Sequence, residues 1–288
     1  MAYSSNGAQV MVDATHEGPV FWAQSHGSWG TFDTDAATFN MDRQTGGAML
    51  GGDVSAGRWR VGFLGGYSRT EVREERQQAV SDNTTLGAYA GGRWGKAGVR
   101  VGLAQTWHDI ETDRSVIMPG LSGTLEADYD GSTRQIFVEG DYQLLAHQGN
   151  RLEAYANLAQ VRSQTDAFAE NGGAAALDGG KSTHEVLFAT LGLRAAHELT
   201  LGQSAGRLRA SAGWRHASGD TSVEGTHAFS AGEACDLIGV PIHENAAVVD
   251  AGMDVRFNAR TTFSLNYIGQ YSSGAHDHGF NARMSFNF

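Results

Sequence analysis

Apolar and polar residues alternate without a break over the last nine positions of the chain. Phe280, Ala282, Met284, Phe286 and Phe288 fall on one phase, and Asn281, Arg283, Ser285 and Asn287 on the other. That period of two predicts a strand with one apolar and one wet face. The pattern recurs upstream. Thr262, Ser264, Asn266 and Gln270 alternate with Phe263, Leu265, Tyr267 and Tyr271. Asp250, Asp254 and Arg256 alternate with Val249, Ala251, Met253, Val255 and Phe257. Arg207, Arg209, Ser211 and Arg215 alternate with Leu208, Ala210, Ala212 and Trp214, and Arg151, Glu153, Tyr155 and Asn157 with Leu152, Ala154, Ala156 and Leu158. The same dyad covers Arg100 and Thr106 against Val101 and Trp107, and Arg60 and Ser68 against Val61 and Tyr67.

Twelve segments result, near 20–32, 46–56, 58–70, 83–94, 97–111, 131–144, 151–165, 184–198, 206–220, 245–257, 261–272 and 279–288. The sixth is less regular, because Phe137 sits on the polar phase, and the eighth, from Val186 to Ala196, is almost wholly apolar, so its facing is open. The joints alternate in length. Short ones are expected at 55–58, 94–97, 146–151, 199–206 and 257–261, long ones at 33–45, 70–83, 111–130, 166–183 and 220–244. A soluble sandwich also alternates apolar with polar, but short turns at one end and long loops at the other are the habit of an up-and-down membrane barrel. On the apolar phase, Trp59, Trp94, Phe257 and Phe288 stand near the short turns, and Tyr67, Trp107, Trp214 and Tyr271 near the long loops. Two such bands are expected of aromatic girdles. The fold class read from the pattern is therefore all-β, a transmembrane antiparallel up-and-down β-barrel of about twelve strands.

Composition refines this. Among 288 residues there are 39 glycines, which relieve crowding where a sheet curls into a closed wall, and only three prolines, all between apolar runs. The net charge of −11 argues against a nucleic-acid partner. One cysteine, Cys235, excludes an intrachain disulfide framework. No apolar run approaches the ~20 residues of a membrane helix. The stretch 1–18 has neither the basic nor the apolar region of a secretory signal, so the chain is expected to be cytosolic or a mature piece of a longer precursor. A negative mean hydropathy is uninformative for a barrel, because lumenal residues dilute the apolar half.

At this point the chain resembles the C-terminal translocator domain of a classical, type V autotransporter. The resemblance rests on the FNARMSFNF ending, the order of about twelve strands, the stretch Ile136-Phe137-Val138-Glu139-Gly140-Asp141-Tyr142 and the strand Gly213-Trp214-Arg215-His216. Gly140-Asp141 replaces the Pro-Gln that follows the aromatic-Val-Glu of the family. The resemblance covers about 18–288. It implies a Gram-negative outer-membrane, multi-pass barrel that exports an N-terminal passenger, with long loops outside and both termini on the periplasmic side. It implies three partners, the lipid bilayer, the chain's own passenger and the barrel-assembly machinery, and a monomer. It also implies an assembly signal made by Phe280, Met284, Phe286 and Phe288. The expected division is 1–18 as a linker or pore-entering segment and 19–288 as the barrel. A self-contained outer-membrane channel or adhesin barrel and a soluble β-sandwich binding module stand beside this reading as alternatives.

The polar phase nominates a lumen lined by Arg100, Glu139, Asp141, Glu153, Arg207, Arg209, Arg215, Asp250, Asp254, Arg256, Asn266 and Arg283. These are read first as ion pairs bracing the wall. Some family members cut their passenger within the pore between two asparagines. This chain has no Asn-Asn pair, and Asn6-Gly7 fits slow ageing better. Glu139 is the carboxylate to name if an acid were needed; otherwise no catalytic residue, metal or cofactor is expected. His276-Asp277-His278 is expected in a solvated hairpin loop, since three adjacent residues of an extended chain cannot face one ion. Acidic neighbours Glu233 and Asp236 argue against a reactive Cys235 thiol.

Overall fold

The computed structural model describes residues 18–33, 40–118, 121–202, 204–222, 224–229, 234–238 and 242–288. The expected segment 1–18 lies almost entirely outside the described residues. Sixteen strands follow one another: β1 (Val20–Asp33), β2 (Asn40–Ala56), β3 (Trp59–Glu74), β4 (Gln77–Trp94), β5 (Ala97–Met118), β6 (Leu121–His147), β7 (Asn150–Thr165), β8 (Phe168–Ala169), β9 (Leu177–Gly179), β10 (Ser182–Leu201), β11 (Ser204–Gly219), β12 (Glu224–Phe229), β13 (Ala234–Ile238), β14 (Asn245–Arg256), β15 (Thr261–Tyr271) and β16 (Ala275–Asn287). Twelve of them close an antiparallel barrel in the order β1-β16-β15-β14-β11-β10-β7-β6-β5-β4-β3-β2. The other four, β13-β12-β9-β8, make a small separate sheet.

Closure is made where β1 meets β16, from Val20 opposite Asn287 to Phe32 opposite Ala275. Every other barrel neighbour is joined through a hairpin or through a longer connection. The tight turns use residues that tolerate positive φ: Gln148 and Gly149, at 48° and 77°, turn β6 into β7. Closure leaves no barrel edge with unpaired N–H and C=O groups, the condition for crossing lipid with strands.

Facing follows the dyad. Outside are Phe63, Leu191 and Leu50, with 73, 68 and 66% of their surface exposed, as the lipid-facing half of a membrane barrel requires. Inside are buried Arg60, Asp141, Glu153, Arg215, Asp254 and Arg283. The aromatic bands also fall on common levels. Tyr67 lies opposite Thr84, and Thr84 opposite Trp107. Trp214 lies opposite Ala247, and Ala247 opposite Tyr271. At the other end Trp59 and Trp94 meet edge to face at 5.1 Å.

Three expectations are corrected, and one facing left open is settled. The segments 70–83 and 111–130 are not loops: β3–β4 and β5–β6 continue as paired hairpins to Glu74–Gln77 and Met118–Leu121. Polar residues occupy both faces there because both faces meet water, so the alternation fades while the ladder continues. The interval 220–244 holds β12 and β13, and Cys235 belongs to β13. His276-Asp277-His278 lies in β16 rather than in a loop. Finally, the eighth segment has a definite facing: Val186, Phe188 and Thr190 are buried inside, while Leu187, Leu191 and Leu193 are exposed outside.

The barrel wall is close-fitted from within. Large lumenal rings lie against glycines on adjacent strands. A Cβ added at Gly51 would run into the Trp22 indole, one at Gly62 into the Tyr89 ring, and one at Gly102 into the Phe137 ring. The inward glycines are thus seats for aromatic side chains, which no purely local pattern requires.

Candidate functional site

The lumen encloses a cavity of about 530 Å³. Its side chains fall into three zones, each set by which inward residues the register brings together.

The first zone, toward the short turns, is charged. Asp53 pairs with Arg60, and accepts from the Tyr89 hydroxyl at 2.7 Å. Trp22 Nε1 donates to the Tyr89 oxygen at 2.9 Å, and the Arg283 guanidinium lies 4.2 Å over the Trp22 ring. Arg60 Nη2 also donates to the Gly18 carbonyl at 3.0 Å. Further round, Arg93 donates to Asp141 at 2.7 Å and to Glu153 at 2.9 Å. Glu139 Oε1 accepts from Arg100 at 2.9 Å and from Arg194 at 3.1 Å. Arg209 grips Asp254 with two bonds of 2.9 Å and donates to Asn266 Oδ1 at 2.7 Å. Arg93–Glu153, Arg194–Glu139 and Arg209–Asn266 each step over at least one strand. They tie the wall together as hoops, beyond the ladder itself. Bidentate guanidinium–carboxylate pairs suit this role because the planar fork fixes direction as well as charge.

The second zone is a neutral arc of hydroxyls running round six adjacent strands. Thr45 and Thr70 oxygens are 3.1 Å apart, and Asn83 Nδ2 donates to Thr70 at 3.2 Å. His108 bridges Asn83 Oδ1 at 2.6 Å and Thr133 Oγ1 at 2.8 Å, and Thr133 lies 3.3 Å from Ser163. The third zone adjoins it on β6, β7, β10 and β11 and is apolar: Ala159, Val161, Val186, Phe188 and Ala217, with Phe137 and Ile242 packed on them. Arg215 borders the apolar zone on its β14–β15 side, donating to Gln270 at 2.8 Å with its guanidinium 5.6 Å over the Phe188 ring. The lumen is therefore not ion-paired throughout.

Most of the residues nominated from the polar phase do face inward: Arg100, Glu139, Asp141, Glu153, Arg209, Arg215, Asp250, Asp254, Asn266 and Arg283. Asp250 is half-buried, and its Oδ2 has no partner. Arg207 stands at the rim, 3.2 Å from Glu198, and Arg256 is exposed at the end of β14. Glu139 is held by two arginines, which is the bracing reading rather than that of an acid. Asp277 faces inward against Arg43, while His278 turns outward, where Tyr267 meets it at 2.7 Å and Trp29 stacks on it at 5.9 Å.

Sequence reasoning overlooked Arg93, Arg194, Asp53 and Trp22. Arg93 and Asp53 are in phase with Tyr89 and Gly51, so strict counting along β4 and β2 would have found them. Arg194 needed the facing of the apolar eighth segment. Nothing in the sequence signals that Trp22 is lumenal rather than part of a girdle.

Beyond the barrel, the β5–β6 extension carries residues 166–181. Arg114 pairs with Glu170, and Tyr129 stacks on Phe168 at 4.6 Å, where burial pushes its phenol up from the usual value.

In comparisons with known proteins, the model of the autotransporter β-domain matches residues 21–268. Two extracellular serine proteases of Serratia marcescens are similar in sequence. One is 35% identical over 287 residues, covering 99% of this chain and 27% of the relative. The other is 34% identical over 270 residues, covering 93% and 26%. The chain thus spans about a quarter of the length of these relatives. Among solved structures, the translocator domain of NalP from Neisseria meningitidis superposes with a TM-score of 0.78 at 18% identity, covering 95% of this chain and 90% of that one. The β-domain of the Bordetella autotransporter BrkA gives 0.71 at 19%, covering 94% and 100%. At such identities the likeness is one of fold, and it does not single out BrkA as a counterpart.

Proposed function

The chain belongs to the autotransporter β-domain family and is an outer-membrane translocator barrel; we propose that it exports an N-terminal passenger carried on the same polypeptide, whose chain enters the barrel by the short-turn mouth. The observation that carries this is the grip of Arg60, a buried lumenal residue, on the Gly18 carbonyl. It holds the segment entering β1 toward the lumen rather than along the outer wall. The charged hoops near that mouth keep the wall rigid and wet, so a polar backbone passing there meets donors and acceptors instead of hydrocarbon.

In this reading the long-loop rim is outside the cell and the short turns and C-terminus are periplasmic. The barrel-assembly machinery inserts the chain as a monomer, and Phe280, Met284, Phe286 and Phe288 carry the signal it reads. Phe280, Met284 and Phe286 lie on the outward phase of β16, and Phe288 follows one residue beyond its end. The passenger is of the class named in the relatives, an extracellular serine protease. The protease chemistry belongs to that passenger, and the barrel itself turns over no separate substrate.

The test is a fusion. An epitope placed ahead of residue 1 should be reached by antibody on intact cells, and, in a Cys235→Ser background, a cysteine introduced at Gly57 in a short turn should not be reached by an impermeant thiol reagent. An inserted, heat-modifiable barrel whose epitope stays inside the cell would reject export and favour a self-contained channel.

A further inference from the structure

The outward wall of β6 and β7 carries two cations where hydrocarbon-facing residues should run. On β6 the outward phase reads Tyr142, Val138 and Ile136, all exposed apolar side chains, and on β7 it includes Leu158. The next outward positions toward the long-loop rim are Arg134 and, beyond Gln160, Arg162. Both are exposed, and they lie directly opposite each other across the ladder. Like charges in opposed positions repel, and a cation on the lipid face is tolerated only near an interface.

Their position is set by the outward run itself: Arg134 follows Ile136, and Arg162 follows Leu158 and Gln160, where the apolar wall gives way toward the long-loop rim. Charge is sorted along this wall. Beyond Trp107, toward water, carboxylates face each other in three successive outward pairs, Asp109 with Asp130, Glu111 with Asp128 and Asp113 with Glu126. Asp130 is four residues from Arg134, roughly 13 Å along the strand and more than a Debye length away.

The arginines are not neutralised by the protein. Arg162 meets Glu185 at 3.0 Å, with both side chains about half exposed. Arg134 has only the Gln105 carbonyl oxygen, at 3.4 Å, and no ion pair among the described residues. One net positive charge remains, presented by two planar forks on one patch of lipid-facing wall.

We propose that Arg134 and Arg162 dock the phosphate of a lipid headgroup in the leaflet around the long-loop rim. A phosphate supplies the counter-charge the opposed arginines lack. Its oxygens accept the paired N–H bonds a guanidinium offers, and its acyl chains lie along Ile136, Val138 and Leu158. This rests on the reading of the chain as a membrane barrel.

The experiment uses the full chain, refolded in detergent and offered diphosphorylated lipid A or the same lipid after phosphatase treatment. Lipid retained per barrel is counted by native mass spectrometry. The wild type should keep the phosphorylated form about tenfold better, as two exposed, water-screened ion contacts would give. R134Q/R162Q should lose that preference, and R134K/R162K should keep part of it. R69Q should retain lipid like the wild type, because Arg69 on the same wall is already paired with Asp82 at 3.3 Å. Equal retention by R134Q/R162Q, or of the dephosphorylated lipid, would overturn the proposal, as would displacement by millimolar inorganic phosphate, which would make this a site for soluble anions. Insertion is scored separately by heat-modifiable migration, so a chain that fails to form a barrel counts against the membrane reading itself.

Discussion

The Trp22 indole on β1 donates to the Tyr89 hydroxyl on β4 at 2.9 Å, across two intervening strands and 67 positions of sequence. Tyr89 passes the contact to Asp53, Asp53 pairs with Arg60, and Arg60 holds Gly18. One hydrogen-bonded chain therefore links the strand that closes the barrel, three of its neighbours' side chains and the point where upstream polypeptide arrives.

Tyr89→Phe removes the hydroxyl and keeps the ring in its seat over Gly62. Trp22 Nε1 and Asp53 Oδ2 then lose a partner, and the expected loss is about 1–3 kcal/mol. Unfolding of the heat-modifiable form with temperature or denaturant measures it. A transition unmoved from wild type would show that lumenal water replaces the hydroxyl without cost.

Facing has its own test. Leu265→Arg places a cation on the lipid side near mid-membrane and should cost about 2–4 kcal/mol. The fair lumenal comparison is Asn157→Arg, because Asn157 lies opposite Glu139 on the inner wall. Asn266 is unsuitable for this purpose, since it already accepts from Arg209 in a tight space against Gly252. Denaturant titration in lipid should rank Leu265→Arg as the more damaging change, and the reverse order would refute the facing.

Glu139→Gln takes the shared counter-ion from Arg100 and Arg194. Insertion should survive, because the change is confined to the lumen. The pore should shift toward anions, read as a displaced reversal potential across a planar bilayer under a salt gradient. The shift should shrink in high salt, where screening shortens to about 3 Å at 1 M. A reversal potential identical to wild type would place the conducting path away from Glu139.

Phe288 has two roles under the proposed function. Its ring meets Phe21 edge to face at 5.7 Å, and its N–H donates to the Pro19 carbonyl at 3.0 Å. Both contacts are at the end of the closing seam, where an aromatic ring favours the interface. The open edge of β16, before it meets β1, is also where another protein could add a strand. Deleting Phe288 should lower the amount of barrel in the outer membrane of cells far more than it lowers stability after refolding in detergent. Equal losses in the two settings would leave it a packing residue.

Period-two alternation determined the number of barrel strands and, for the seven of them whose two phases separate cleanly, which residues face lipid, because facing is a local property of the pleat. The girdles at Trp59 and Trp94 and at Tyr67 and Trp107, and the short turns, were legible for the same reason. Three things were decided only by the tertiary structure. The hairpins at 70–83 and 111–130 stay paired beyond the membrane, where no apolar face marks them. The inward position of Val186 and Phe188 depends on neighbours, since a strand apolar on both sides carries no phase of its own. The meetings in the lumen, Trp22 with Tyr89, Arg194 with Glu139 and Arg43 with Asp277, depend on register and closure. Those quantities arise when β1 and β16, some 250 residues apart, lock together. A sequence read along one strand carries the direction of each side chain but not the identity of the partner it reaches across a closed wall.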